Sequence, residues 1–136
     1  MEIDLTAWLG LALRWAHLLA GIMWIGTSFY FIWLDNSLTP PKDENNDANG
    51  ELWSVHGGGF YHKRKYLVAP RHMPENLLWF KWEAYLTWVS GFALLGLIYY
   101  MGASAYLIDE TKLAMAPWQA VSLGLAAIGT GFIFYE

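Results

Sequence analysis

The sequence predicts an all-α fold, a polytopic membrane helix bundle of three transmembrane helices with a long cytoplasmic loop between the first two. Hydrophobic residues make up 56% of the 136 residues and charged residues 15%, against about 25% charged residues in a typical soluble domain. The charges are segregated, which leaves three nearly charge-free blocks. Each block is long enough to cross the roughly 30 Å hydrocarbon core of a bilayer as a helix.

The first block predicts a helix over residues 5–34. Its unusual residues recur at alternating steps of four and three, which places them on one stripe of a helix surface: Gly10, Arg14, His17, Gly21, Trp24, Ser28, Phe31 and Asp35. Lipid would leave the polar members unpaired. We therefore expect the stripe to face protein or a cofactor.

The second and third blocks predict helices over residues 77–101 and 116–135. The loop over residues 35–76 carries five of the eight basic residues. By the positive-inside rule this loop is cytoplasmic and the N-terminus lies outside. Small residues recur on one stripe of the third helix, which favours close approach of another helix: Ala120, Gly124, Ala127 and Gly131. A chain that stops after such a helix is expected to be truncated or to assemble with others.

Composition excludes several classes of function. The net charge of −4 gives no basic character, so no nucleic-acid partner is predicted. The absence of cysteine excludes disulfides, thiolate metal sites and covalent c-type haem within the chain. No histidine spacing typical of a metal site occurs. The nine Trp, eight Tyr and seven Phe residues fit interfacial belts or a site for a flat aromatic molecule.

His17 is the first candidate site residue, about two and a half turns into the first helix. Such a histidine can ligate haem b, form a hydrogen bond to a neighbouring helix, or take part in proton or substrate chemistry. Arg14, one turn nearer the outside, can extend its charge to the membrane surface.

Lys81 and Glu83 lie within the second apolar block. Two positions apart, they point in nearly opposite directions on a helix. Glu83 shares a face with Thr87 and Ser90, so we expect it to face the bundle interior. Lys81 either anchors the helix end at the interface or contributes to a site.

The string VHGGGFYH at residues 55–62 is the most unusual local sequence. Consecutive glycines let backbone N–H groups converge on an anion. His56 flanks the glycines Gly57, Gly58 and Gly59. The alternative is a flexible connection with incidental histidines, and the basic HKRK that follows can contact anionic lipid.

Three long strings together resemble one known family. HLLAGIMWIGTSFYFIWLDNSL (17–38), GELWSVHGGGFY (50–61) and PENLLWFKWEAYLTWVSGFALL (74–95) resemble the N-terminal membrane domain of the bacterial cytochrome-linked urate oxidases, also called membrane-bound urate hydroxylases. The resemblance covers essentially the whole chain. It implies that residues 1–136 are a partial urate-oxidase-type membrane domain in the bacterial inner membrane, truncated after about three of eight spans.

The resemblance also implies an activity and partners. Family members oxidise urate to 5-hydroxyisourate in purine catabolism and pass the electrons to a c-type cytochrome domain, which this chain lacks because it has no C-x-x-C-H. The expected partners are the lipid bilayer, missing membrane helices or a second subunit, the cytochrome and urate. The alternatives are a haem-b-binding electron-transfer subunit and an inactive truncated membrane fragment.

On this resemblance, site roles follow as hypotheses. Urate is a flat, mostly monoanionic ring, so a site needs stacking, N–H donors and a base. His56 and Glu83 are the expected catalytic residues, and His17 is the expected haem b ligand. The expected substrate-binding residues are Gly57, Gly58, Gly59, Lys81 and Trp82, with Trp79 as a second stacking candidate.

Overall fold

The computed structural model of the chain describes residues 4–43 and 47–136. Residues 44–46, which belong to the predicted 35–76 loop, lie outside the described residues. The elements in chain order are α1 (Leu5–Ser37), β1 (Gly50–His56), β2 (Gly59–Lys65), α2 (Lys81–Leu94), a π-helix (Leu95–Tyr100), α3 (Ala103–Tyr106) and α4 (Pro117–Tyr135). They belong to two compact units, a helical unit (Met1–Gly21 and Glu83–Glu136) and a hairpin unit (Ile22–Trp82).

The predicted all-α class is wrong, because β1 and β2 form a two-stranded antiparallel sheet. Gly57 and Gly58 have φ values of +56° and +80°, which are the left-handed conformations that a two-residue hairpin turn requires. His56 therefore pairs with Gly59, and the register continues to Gly50 and Lys65. The glycines that suggested a flexible loop instead set the register of a hairpin.

The prediction of three membrane-spanning helices is also wrong. Within the described residues two helices, α1 and α4, are long and apolar enough to cross a membrane by length and composition. The second predicted span, residues 77–101, is divided: α2 begins only at Lys81 and has 14 residues. A π-helix then follows, in which the Met101 N–H donates to the Gly96 carbonyl, 3.0 Å away.

The two candidate spans match their predicted positions. α1 extends three residues beyond the predicted 5–34, and α4 covers residues 117–135 of the predicted 116–135. Pro117 occupies the first turn of α4, where its missing N–H removes no helical hydrogen bond. The Gln119 side-chain oxygen accepts a hydrogen bond of 2.8 Å from the Ala116 N–H, which satisfies a donor at the helix start.

Large apolar side chains cover the surface of these helices. The buried hydrophobic residues of the described ranges are all alanines, at positions 20, 48, 103 and 120. Along α1 the rings of Trp8, Trp15 and Phe29 are 57–69% exposed. An apolar surface of this extent is unfavourable in water. Its burial therefore requires an apolar surrounding, either lipid or further protein.

Candidate functional site

A cavity with a volume of about 410 Å³ lies between the C-terminal part of α1 and one face of the hairpin. This volume is within the range of small-molecule sites. We name it the hairpin cavity. The described residues that line it are Tyr30, Trp33, Ser54, Val55, His56, Tyr61 and Lys63. Three aromatic rings, one lysine and one histidine thus surround a space of ligand size.

Alternation along the two strands explains why these side chains meet. Ser54 pairs with Tyr61, and the neighbouring same-face residues are His56 on β1 and Lys63 on β2. The strand β1 is held beside the end of α1 by Thr39, whose N–H donates to the Glu51 carbonyl at 3.0 Å and whose carbonyl accepts from the Glu51 N–H at 2.8 Å.

Lys63 is the cation of the hairpin cavity. Its ammonium donates to the Ser54 hydroxyl. It also lies 5.6 Å from the ring centre of Tyr30 and 5.7 Å from that of Tyr61, within the range of cation–π attraction. A positive charge beside aromatic walls suits a flat, negatively charged ring, because the walls stack on its faces while the ammonium compensates its charge.

The opposite face of the hairpin carries a carboxylate–imidazole pair. His62 Nε2 lies 2.9 Å from Glu51 Oε2, and the His62 ring stacks on Trp53 at a centroid distance of 4.3 Å. A hydrogen bond from the Lys42 backbone N–H lowers the pKa of Glu51, and His62 and Arg64 lower it further, against an opposing effect of burial. This face therefore holds an ionised carboxylate.

The structure places one predicted catalytic residue, His56, in the hairpin cavity. The three predicted glycines follow it directly. Gly57 and Gly58 form the turn, and Gly59 is the first residue of β2. The roles of His56 and of these glycines toward a substrate stay predictions.

The other predicted catalytic residue, Glu83, and the predicted substrate-binding residues Lys81 and Trp82 are not among the described residues that line the hairpin cavity. Lys81 and Trp82 belong to the hairpin unit. The Lys81 ammonium lies 4.7 Å from the ring centre of Trp79 and 5.8 Å from that of Trp82. Glu83 is half-buried in the helical unit, where its carbonyl accepts a hydrogen bond of 2.9 Å from the Thr87 hydroxyl.

His17 lies in the helical unit, with its ring against α2. Nδ1 is 3.1 Å from the Thr87 carbonyl oxygen and 3.1 Å from Ser90 Oγ. The predicted alternative of a hydrogen bond to a neighbouring helix is therefore realised at this nitrogen. Among the described residues Nε2 has no hydrogen-bond partner. A histidine with one nitrogen held by a carbonyl and the other available has the donor chemistry that an axial haem ligand needs.

A second cavity, with a volume of about 430 Å³, lies in the helical unit. Among the described residues that line it, Arg14 alone carries a positive charge. Asp4 contributes a carboxylate that caps α1 by accepting a hydrogen bond of 3.0 Å from the Ala7 N–H. Its other walls are largely apolar residues at positions 97–102. The cavity is open, and the described residues offer no ion pair to Arg14 within 4.0 Å.

Sequence reasoning missed most of the hairpin cavity. Tyr30, Trp33, Ser54, Tyr61 and Lys63 were not singled out, because their juxtaposition depends on the hairpin. One signal was present: a Gly-Gly pair between runs of alternating residues is typical of a two-residue hairpin. With that turn assigned, the register places Ser54 opposite Tyr61.

Comparison with known families gives one finding. A family model described as urate oxidase N-terminal matches residues 4–136. Comparison with curated proteins gave no match, and comparison with solved structures gave none. The family model covers nearly the whole sequence and agrees with the resemblance of the three long strings. The chain therefore belongs to the urate oxidase N-terminal family.

Proposed function

We propose that the chain is part of a membrane urate oxidase that converts urate to 5-hydroxyisourate and passes the electrons to a c-type cytochrome. The observation that supports it best is the hairpin cavity, in which aromatic rings surround a space of about 410 Å³ together with Lys63 and His56. Membership of the urate oxidase N-terminal family supports the same substrate.

Urate matches the hairpin cavity by shape and charge. The rings of Tyr30, Trp33 and Tyr61 offer stacking surfaces for a planar purine. The Lys63 ammonium compensates the negative charge of the monoanion. The Ser54 hydroxyl, which already accepts from Lys63, can donate its own proton to a ring carbonyl of the substrate. Together these groups favour a flat anion over a neutral or non-planar molecule.

The reaction requires a base and an electron acceptor. A water oxygen forms a bond to C5 of urate, two electrons leave the ring, and protons are released. His56, at the cavity wall, is the proposed proton acceptor for the attacking water. Glu83 is the second proposed catalytic residue and would act through its carboxylate. The proposed substrate contacts stay Gly57, Gly58, Gly59, Lys81 and Trp82.

Haem b is the proposed cofactor of the helical unit, with His17 as its ligand. When bound, haem b supplies a one-electron carrier through which electrons from the substrate can be collected. The c-type haem that receives them next is proposed to lie on a C-terminal domain outside residues 1–136, because these residues contain no cysteine for its covalent attachment.

The proposed location is the bacterial inner membrane, with the N-terminus outside and residues 35–76 in the cytoplasm. Two helices of spanning length and the exposure of their apolar side chains support it. In each of the two helices, only 6% of the most apolar 18-residue stretch is buried. The proposed partners are therefore the lipid bilayer and further membrane helices, supplied by a longer chain or a second subunit.

A second candidate function is an electron-transfer subunit that binds haem b and has no substrate of its own. The available Nε2 of His17 favours it. The hairpin cavity distinguishes the two functions, because a urate oxidase must bind urate there whereas an electron-transfer subunit needs no substrate site.

Urate binding to the purified chain in detergent tests the proposed function. Lys63→Met removes the charge of the hairpin cavity, and a lost hydrogen bond to a charged group costs about 1.5–3 kcal/mol. We therefore expect affinity for urate to fall by about 10-fold or more. The control is Lys65→Met, since Lys65 is paired with Asp35 at 2.7 Å and does not line the hairpin cavity; its affinity should stay within about 2-fold. Equal affinity of the two variants, or no urate binding by the unmodified chain, would contradict the proposal.

A further inference from the structure

His17 is held against a single turn of α2 by three neighbouring residues. Its Nδ1 is 3.1 Å from the Thr87 carbonyl oxygen and 3.1 Å from Ser90 Oγ. Gly91 follows directly, and a Cβ placed there would lie 3.0 Å from His17 Cε1. We name these three residues the imidazole cradle.

The imidazole cradle fixes the tautomer of His17. A backbone carbonyl can only accept a hydrogen bond, so Nδ1 must carry the proton that it shares with Thr87. Ser90 Oγ directs its own proton to the Leu86 carbonyl, 2.6 Å away, and so it also acts as an acceptor toward Nδ1. In the neutral ring the lone pair therefore lies on Nε2.

Gly91 determines how closely the ring approaches α2. A contact of 3.0 Å to a Cβ is tighter than nine in ten real Cβ contacts, so a larger residue at position 91 requires the imidazole to shift by a few tenths of an ångström relative to its two acceptors. Gly21 and Gly26 on α1 and Gly96 in the π-helix have no atom within 4 Å of an added Cβ. The close approach is thus a feature of Gly91 and not of helical glycines in general.

The direction of the bond at Nδ1 decides which ring atom is available for chemistry. The hydrogen bonds that join His17 to α2 involve Nδ1 alone. Nε2, which carries the lone pair, therefore has no hydrogen-bond partner among the described residues. A metal-ligating histidine is ordinarily held in this way, with its second nitrogen donating to a carbonyl that orients the ring and raises its basicity.

We infer that the imidazole cradle positions His17 as the residue that would hold a b-type haem through Nε2, with Ser90 and Gly91 as positioning residues that would tune the haem. The inference rests on the proposed function, because oxidation of urate delivers electrons that a redox centre must collect. A more basic imidazole stabilises the ferric state. Loss of the hydrogen bond from Nδ1 to Ser90 therefore raises the reduction potential.

The optical spectrum of the chain, purified in detergent from haem-replete cells, tests the ligand. The expected result is a reduced-minus-oxidised spectrum of a b-type haem that disappears in His17→Ala. Absence of the band in the unmodified chain, or an undiminished band in His17→Ala, would overturn the inference. Measurement of urate binding on the same samples keeps the two proposals apart, since binding that persists without haem leaves the hairpin cavity proposal standing.

Potentiometric titration tests the positioning residues. Ser90→Ala should retain the haem with a raised midpoint potential, and Ser90→Thr, which keeps the hydroxyl, should restore the original value. Gly91→Ala should lower haem affinity by about 10-fold or more, whereas the matched control Gly26→Ala should not change it. An unchanged potential in Ser90→Ala together with unchanged affinity in Gly91→Ala would show that the cradle does not act on a haem ligand.

Discussion

The Glu51 carboxylate lies 2.9 Å from the Nε2 atom of His62 across the hairpin, on the face opposite the hairpin cavity. Glu51 is 8% exposed, and its second oxygen accepts a hydrogen bond of 3.2 Å from the Lys42 N–H. The Glu51 carboxylate thus binds both His62 on the neighbouring strand β2 and the backbone of Lys42, in the segment that precedes β1. The contact with His62 joins β1 to β2, the two strands whose other face lines the hairpin cavity.

Acid should loosen the hairpin through Glu51. The Lys42 N–H, His62 and Arg64 lower the pKa of Glu51 below its ordinary value of 4.5 in the folded chain. Because the pKa of Glu51 is lower in the folded chain than in the unfolded chain, the ionised carboxylate stabilises the fold at pH values above the unfolded-state pKa. This stabilisation is lost as the pH falls through the folded-state pKa. Hydrogen-exchange protection of residues 50–65, corrected for the intrinsic rate, should therefore decrease below about pH 4.5.

Glu51→Gln should abolish this pH dependence and give low protection already at neutral pH. Asp109→Asn is the control. The pKa of Asp109 is also lowered, chiefly by the Thr111 hydroxyl, but Asp109 lies in the helical unit. Its substitution should leave the acid response of the hairpin unchanged. A hairpin that loses protection identically with and without the Glu51 carboxylate would contradict the assignment.

The Gly57–Gly58 turn should tolerate asparagine and reject a β-branched residue. Gly57 has a φ of +56°, which costs a side chain with a Cβ about 1–2 kcal/mol. Gly57→Val should therefore speed amide exchange across the hairpin by about 5-fold or more. Gly57→Asn creates the Asn-Gly pair that such turns prefer and should retain protection. If both variants exchange at the same rate, the turn does not have this conformation.

The sequence predicted the two helices that each consist of one apolar run, because a single run is enough to indicate a helix of membrane-spanning length. α1 and α4 were predicted to within three residues at each end. The π-helix after α2 could not be predicted, because an apolar run does not reveal whether its hydrogen bonds span four or five residues. The hairpin cavity combines positions 30–33 with positions 54–63, and such long-range contacts have no local signal. His56 was identified because it stands beside unusual glycines, whereas Lys63 was read as one charge in a basic string.

Orientation in the membrane can be measured with single cysteines, because the chain contains none. On the proposed orientation, Thr6→Cys should react with an impermeant maleimide added to intact cells. Asp47→Cys, in the segment before β1, should react only after the membrane is permeabilised. The physical reason is the concentration of basic residues in 35–76, which favours retention in the cytoplasm. Labelling of Asp47→Cys in intact cells would reverse the orientation.

The chain turn after the π-helix should depend on Gly102 and not on Gly96. A Cβ at Gly102 would lie 2.6 Å from the Ile98 carbonyl oxygen and 2.9 Å from the Tyr106 ring. The carbonyl belongs to the backbone and cannot rotate away, so Gly102→Ala should destabilise the helical unit by about 1–3 kcal/mol. An added Cβ at Gly96 meets no atom within 4 Å, so Gly96→Ala is the matched control. Thermal denaturation in detergent should show a lower midpoint for Gly102→Ala alone. Equal midpoints for the two variants would show that Gly102 does not pack against the Ile98 carbonyl. Since both residues line the cavity that contains Arg14, the described shape of that cavity would then also be wrong.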